Sequence, residues 1–223
     1  MEIIAHIYTD FKTKFGLPRQ SGLVKEITGK IVFEKQYSIA EAFKELEKFS
    51  HIWLIWQFSE AIKESWRPTV RPPLLGGNKR IGVFATRSPF RPNSIGLSCV
   101  KLEKIEYDKE LGTVLYVSGC DLMNGTPIYD IKPYLPYCDS IPDATGGFTE
   151  TLGERKLEVN ISDDLLGRVP EEKQSELLGV LEGDPRPSYQ NDPEREYGFI
   201  FADFEIGFRV CDKVLTVSRI DKI

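Results

Sequence analysis

The first 135 residues break into short runs of alternating apolar and polar residues separated by Gly and Pro, with one stretch of helical spacing among them. Runs of this kind demand sheet neighbours at every step, so they restrict the fold more than composition does. Strands are expected at 3–8, in two short pieces within 22–33 around Thr28-Gly29, and at 81–86, 94–105, 113–118 and 128–132. The run HIWLIWQF at 51–58 is aromatic and β-branched, which suits a strand buried on both faces. A helix is expected over 39–49, capped by Ser38, because Ile39, Ala42, Phe43, Leu46 and Phe49 recur at helical spacing. Six or more short strands with one helix predict a mainly β fold built on a closed or nearly closed antiparallel barrel. Regular β-α-β-α alternation is missing and no GxGxxG follows the first strand, which argues against a dinucleotide-type α/β domain.

The turn-rich stretch PDATGGFTETLG at 142–153 marks a change of character. The expected organisation is a β-barrel domain over 1–143, a linker over 144–154 and a small α+β domain over 155–223. In the last of these a strand is expected at 156–161, helix starts at Asp163-Asp164 and at Pro170, and a hairpin in the tail. A core of that size is marginal alone and is expected to pack on the barrel or on a partner.

Composition removes several chemistries. His6 and His51 are the only histidines, so neither a transition-metal site nor a Ser-His-Asp hydrolase is expected, and no GxSxG elbow occurs. The four cysteines are widely spaced without a CxxC, which reads as reduced thiols. No apolar run reaches the length of a membrane span and the N-terminus lacks the pattern of a secretory signal. The expectation is a cytoplasmic protein without metal or membrane.

Charge is unevenly placed. The chain carries a formal −5, yet residues 67–102 hold five Arg, two Lys and no acidic residue. Cations interleaved with Pro and Gly form a shaped positive surface suited to phosphates or carboxylates. Within it, Arg87 and Arg91 flank Pro89 on a stretch that cannot be regular helix, and rigidly held guanidinium groups favour bidentate contacts. Two other clusters bear polar groups on tight turns. In GLPRQSG at 16–22, Pro18 stiffens a loop presenting Arg19 and Gln20. In the stretch 119–134, Asn124-Gly125 signals a turn, while Asp121 and Asp130 are natural partners for the cations of 67–102. Trp53, Trp56 and Trp66 read as core or lid residues, Phe90 as a loop anchor and His51 as a satisfied core histidine. From the residues alone, an RNA- or nucleotide-binding barrel and an enzyme both remain open.

The segments GLPRQSGL, SHIWLIWQF, RPTVRPPLLGGNKRIGVFATRSPFRPNSIGLS and DLMNGTPIYDIKPYLPY together resemble the TsaA/YaeB-like (TrmO-type) family, and the later DPRPSY resembles its C-terminal domain. That resemblance implies a β-barrel methyltransferase using S-adenosyl-L-methionine. Its substrate would be N6 of threonylcarbamoyl-adenosine beside the anticodon of threonine tRNA. It further implies a homodimer with cofactor bound near the interface. Carried over by motif, the cofactor contacts are Pro18, Arg19, Gln20, Ser59, Glu60, Arg87, Leu97, Asp121, Leu122, Met123 and Asn124. Arg71, Arg80 and Arg91 are then left for the anticodon-loop backbone or the substrate's threonyl carboxylate, and Asp130, Tyr134 or a water for the proton leaving N6. The alternative is a non-catalytic barrel that holds the cofactor or RNA as a sensor.

Overall fold

A computed structural model of the chain describes residues 1–62, 65–72, 75–76, 78–150, 156–186, 190 and 192–223. Six antiparallel strands close the expected barrel. In chain order they are β1 (Ala5–Tyr8), β2 (Thr28–Phe33), β3 (His51–Gln57), β6 (Ile95–Asp108), β7 (Gly112–Ser118) and β8 (Thr126–Pro133). Around the barrel the order is β1-β2-β7-β6-β3-β8. Two short strands, β4 (Thr69–Val70) and β5 (Ile81–Gly82), pair outside it as a separate arm.

Alternation sorts each barrel strand into an inner and an outer row. Ile7, Ile31, Ile52, Leu54, Leu115 and Ile128 are fully buried in the inner row. In β3 only Ile52, Leu54 and Trp56 are buried, so the strand expected to be covered on both faces is covered on one. A closed barrel has one inside, and the outward residues His51, Trp53, Ile55 and Gln57 face away from it. His51 is accordingly exposed rather than a core histidine, with Nδ1 2.9 Å from Ser50 Oγ.

Trp56 shapes the barrel interior. Its indole lies over Gly96 so closely that a Cβ there would sit 2.2 Å from the ring. Gly96→Ala is therefore expected to destabilise the protein by about 1–3 kcal/mol through overpacking. Urea unfolding reads this directly, and an unchanged midpoint would mean that the indole can step aside.

The helix expected over 39–49 does not form. Two 3₁₀ turns, Ala40–Phe43 and Leu46–Lys48, replace it, with Glu45 between them at φ 73°. Tertiary contacts override the periodicity. Phe43 packs edge-on against Phe33 with ring centroids 4.7 Å apart, and Ser38 Oγ accepts the Thr113 N–H at 2.6 Å instead of capping a helix. Other departures are smaller. The stretch 22–33 holds one strand, and 81–86 splits into β5 and a 3₁₀ turn, Val83–Ala85.

The C-terminal domain is a four-stranded sheet, β10-β11-β12-β9, of β9 (Glu158–Asn160), β10 (Tyr197–Phe201), β11 (Phe204–Cys211) and β12 (Val214–Lys222). It carries α2 (Asp163–Leu166), N-capped by Ser162, and α3 (Glu171–Glu182), beyond a short α1 (Pro136–Asp139) that ends the barrel. The small domain does lean on the barrel, since one hydrophobic cluster runs through both. Phe11 meets Phe201 at 5.6 Å between centroids, and Gly16, at φ 86°, leaves room for the Phe199 ring. Part of the expected linker, 151–154, lies outside the described residues, as do Pro73, Gly77 and positions 187–189.

A polar group is enclosed at this junction. Lys173 of α3 bonds Asp10 and lies 3.6 Å from Glu176 Oε1, which also accepts the Thr28 hydroxyl at 2.8 Å. Glu176 Oε2 is buried without a partner among the described residues. Burial pushes the Glu176 carboxyl pKa up against the pull of Thr28 and Lys173. Burial works against the Lys173 charge, but its carboxylate neighbours outweigh that and hold its pKa above the ordinary value.

Candidate active site

The site forms where β6 loses a neighbour. β7 pairs with β6 from Lys101 onward, which among the described residues leaves one edge of 95–100 without a strand. Loop 16–22 and the corner that follows β7 cover this edge. Ser21 Oγ accepts the Cys99 N–H at 3.1 Å, and the Gly22 N–H donates to Gly119 O at 2.9 Å. The Cys99 N–H points at the open edge, so by antiparallel alternation the N–H and C=O of Leu97 point there too.

Asp121 sits at the centre of this corner. Its Oδ1 accepts the Ser98 hydroxyl at 2.6 Å, and Ser98 Oγ in turn accepts Trp56 Nε1–H at 2.9 Å. Burial pushes the Asp121 carboxyl pKa above the usual range, while Ser98, the Ser21 N–H and the Arg87 charge oppose that rise. Arg87 donates to Gln20 Oε1, which joins the basic segment to loop 16–22. Three segments far apart in sequence thus meet around one half-buried carboxylate.

The remaining predicted positions fall into distinct places. Leu122 is buried, with its carbonyl accepting the Thr9 hydroxyl at 3.0 Å. Asn124 Oδ1 accepts the Thr9 N–H at 3.2 Å, and the Asn124 N–H donates to Phe11 O at 2.8 Å. Met123 is half-buried between them. Pro18 is half-buried in loop 16–22, beside Arg19, whose Nη2 donates to Arg186 O at 3.2 Å and to Asp184 O at 3.5 Å in the C-terminal domain. Ser59 and Glu60 stand exposed on a 3₁₀ turn, Ser59–Ala61, after β3. Among the described residues no hydrogen bond ties them to the Asp121 group.

Asp130 and Tyr134 lie on the outer wall. The register sets Leu97, Ile55 and Asp130 opposite one another across β6, β3 and β8, so these three share one row. Asp130 does not pair with the basic segment as expected. It forms an ion pair with Lys132 at 2.9 Å, because residues two apart on a strand share a face. Tyr134 packs against Trp53 with centroids 5.8 Å apart, about 13 Å along the chain from Asp130.

Within the basic segment, Arg71 and Arg80 are exposed, and Arg80 Nε donates to Thr69 Oγ1 at 2.9 Å. Arg91 turns back on its own loop, donating to Thr86 O at 2.9 Å and Ser88 O at 3.5 Å. One aromatic expectation is overturned: Phe90 is 45 % exposed rather than an anchor in the core. Trp66, at 47 % exposed, is not a core residue. The sequence reading did not give Ser21, Ser98 and Trp56 a part in the site, although it placed Ser21 in the loop and Trp56 among core or lid residues. Ser98 left one trace, a hydroxyl among the inward residues Gly96, Val100 and Leu102 of β6.

Fold and site together define a barrel that gathers three polar loops at an open strand edge. The tRNA-methyltransferase O N-terminal domain profile matches residues 6–140, and the TrmO C-terminal domain profile matches 154–223. An Escherichia coli (strain K12) protein named tRNA (adenine(37)-N6)-methyltransferase is 40 % identical over 99 % of this chain and 97 % of its own. A Pseudomonas aeruginosa protein whose name carries "S-adenosylmethionine-dependent methyltransferase" is 39 % identical over 91 % of this chain and 89 % of its own. A crystal structure of TrmO from P. aeruginosa superposes with a TM-score of 0.80 at 31 % identity, covering 99 % of this chain and 95 % of that one. The chain belongs to the TrmO family of tRNA methyltransferases.

Proposed function

We propose that this protein methylates N6 of adenine 37 in threonine tRNA, as its threonylcarbamoyl derivative, using S-adenosyl-L-methionine. The convergence of loop 16–22, Arg87 and Asp121 on the open edge of β6 carries this reading. S-adenosyl-L-methionine, when bound, supplies an electrophilic methyl group on a sulfonium centre. The residues present fit such a molecule. Arg87 would hold its carboxylate and Asp121 its amino or hydroxyl donors, while the Leu97 backbone edge would read the adenine. A cationic sulfonium also fits a corner whose enclosed charge is a carboxylate. Arg19 would keep loop 16–22 in place from the C-terminal domain, with Pro18 and Gln20 beside it. Leu122, Met123 and Asn124 would form the floor, and Ser59 and Glu60 would close the site from the end of β3.

The acylated N6 is a weak nucleophile that loses a proton as the new bond forms. Asp130, in one row with Leu97, is the better placed base, and Tyr134 lies too far along the strand to reach the same nitrogen. Arg71 and Arg80 would contact the anticodon-loop phosphates, and Arg91 would shape the turn that presents Arg87. The exposed outer wall, with Leu97 at 52 % and Tyr137 at 85 %, suits a second copy of the chain, giving a homodimer. We assign the protein to the cytoplasm, where its substrate is made. A sensor that holds the cofactor without turnover is not favoured, given relatives named as methyltransferases over the whole chain.

Labelled S-adenosyl-L-methionine, threonylcarbamoylated tRNA and nucleoside digestion test this reading. Labelled methyl should appear on the modified adenosine, and cofactor binding without transfer would defeat it. Asp130→Asn should lower kcat about 10²- to 10⁴-fold with cofactor affinity intact. Tyr134→Phe should change kcat little, and the reverse pattern would exchange their roles.

A further inference from the structure

The arm of β4 and β5 carries an aromatic pair that the site just described does not use. Trp66 is 47 % exposed and Phe84 is 71 % exposed, yet their rings meet with centroids 5.8 Å apart at 34°. Leaving two large rings in water forgoes burial that the core offers other aromatics of this chain. The pair is held in place from below. The Val83 N–H donates to Pro68 O at 2.9 Å, Thr69 pairs with Gly82, and Val83 itself is buried. Arg67, Arg71, Lys79 and Arg80 are exposed on the same arm, and no acidic residue occurs from 65 to 102. Phe84 lies three residues before Arg87, so the arm continues into the corner around Asp121.

We propose that Trp66 and Phe84 form a stacking platform for an unpaired base of single-stranded RNA, with the arm's cations on the adjoining phosphates. Aromatic faces take splayed bases of any sequence, and neighbouring guanidinium groups hold the backbone. Charge selects this occupant. Among the described residues from 65 to 85 every charged side chain is a cation, and an apolar pair on such an arm suits a polyanion with flat apolar faces better than another copy of an acidic protein. On the proposed activity, from which the inference takes its RNA, the base would be an anticodon-loop neighbour of the target adenine.

The test is binding of a fluorescent anticodon stem-loop RNA to the full-length protein over a range of salt. Trp66→Ala and Phe84→Ala should each weaken binding about 5- to 100-fold. The salt slope should stay as it is, because neither removes a charge. Arg67→Ala and Arg80→Ala should instead flatten the slope. Trp66→Phe should recover most of the affinity but lose the fluorescence quench expected when a base covers Trp66. Phe84, the more exposed ring, serves as the second variant should Trp66→Ala unfold. Unchanged RNA affinity in both alanine variants overturns the platform, and so does a fall in oligomeric mass, which would make the pair a contact between copies. Because the readout is binding, the platform can fail while wild-type protein still methylates tRNA, and absent methylation leaves this test intact.

Discussion

Asp121→Asn is expected to weaken S-adenosyl-L-methionine binding by about 10- to 100-fold, the range for losing hydrogen bonds to a charged acceptor. The protein should not lose stability in exchange. Burial is the largest influence on this carboxyl and raises its pKa. An acid whose pKa is higher in the folded state costs stability above that pKa, and the cost is relieved as pH falls through it. Asparagine removes the cost at neutral pH, and its amide oxygen can still accept the Ser98 hydroxyl. The melting temperature near pH 7 should therefore hold or rise by about 2–4 °C for each kcal/mol recovered, and the advantage should shrink toward acid pH. Calorimetric titration and a melting series across pH measure both halves. A clear fall in melting temperature with unchanged affinity would make Asp121 a structural residue and remove the centre of the site.

Lys173→Met should produce the largest stability loss. The substitution leaves Asp10 and Glu176 as negative charges without their cation at the domain junction. Breaking an enclosed pair costs about 3–5 kcal/mol. Lys173 and Asp10 keep side-chain exposures of 27 % and 25 %, so solvent reduces the expectation to about 2–3 kcal/mol. Glu176→Gln should behave oppositely, since Glu176 Oε2 has no partner among the described residues and burial disfavours its charge. The pH dependence separates the two groups. The Lys173 contribution persists below the ordinary lysine pKa and is lost as pH rises through its raised folded value. The Glu176 cost is present above its raised pKa and disappears as pH falls through it. Urea unfolding of both variants reads these effects. A second consequence reaches the site, because Thr9 and Phe11 on either side of Asp10 hold Leu122 and Asn124. Lys173→Met should therefore also weaken cofactor binding, by about tenfold if one such hydrogen bond is lost. Full affinity in the variant would show that the junction does not support the loop.

The barrel strands were legible because inward residues recur at every second position, as in Ile52, Leu54 and Trp56. The same reasoning failed over 39–49. Helical spacing is a local signal, and the docking of Phe43 onto Phe33 is a contact that no local pattern contains. Asp130 was given the wrong ionic partner for a related cause. Its charge was visible, but which cation it meets depends on the face it takes, and the outward row gave it Lys132.

Charge and turn chemistry in the chain alone determined that a cationic Pro- and Gly-rich segment, a stiff arginine loop and an acidic corner exist, and that strands connect them. Those properties are local, set by side-chain charge and by the backbone limits of Pro and Gly. Only the tertiary structure decided that β7 parts from β6 at Lys101, so that Ser21, Arg87 and Asp121 close over the same exposed edge. Barrel closure sets the register between strands far apart in sequence, and register fixes which distant groups touch.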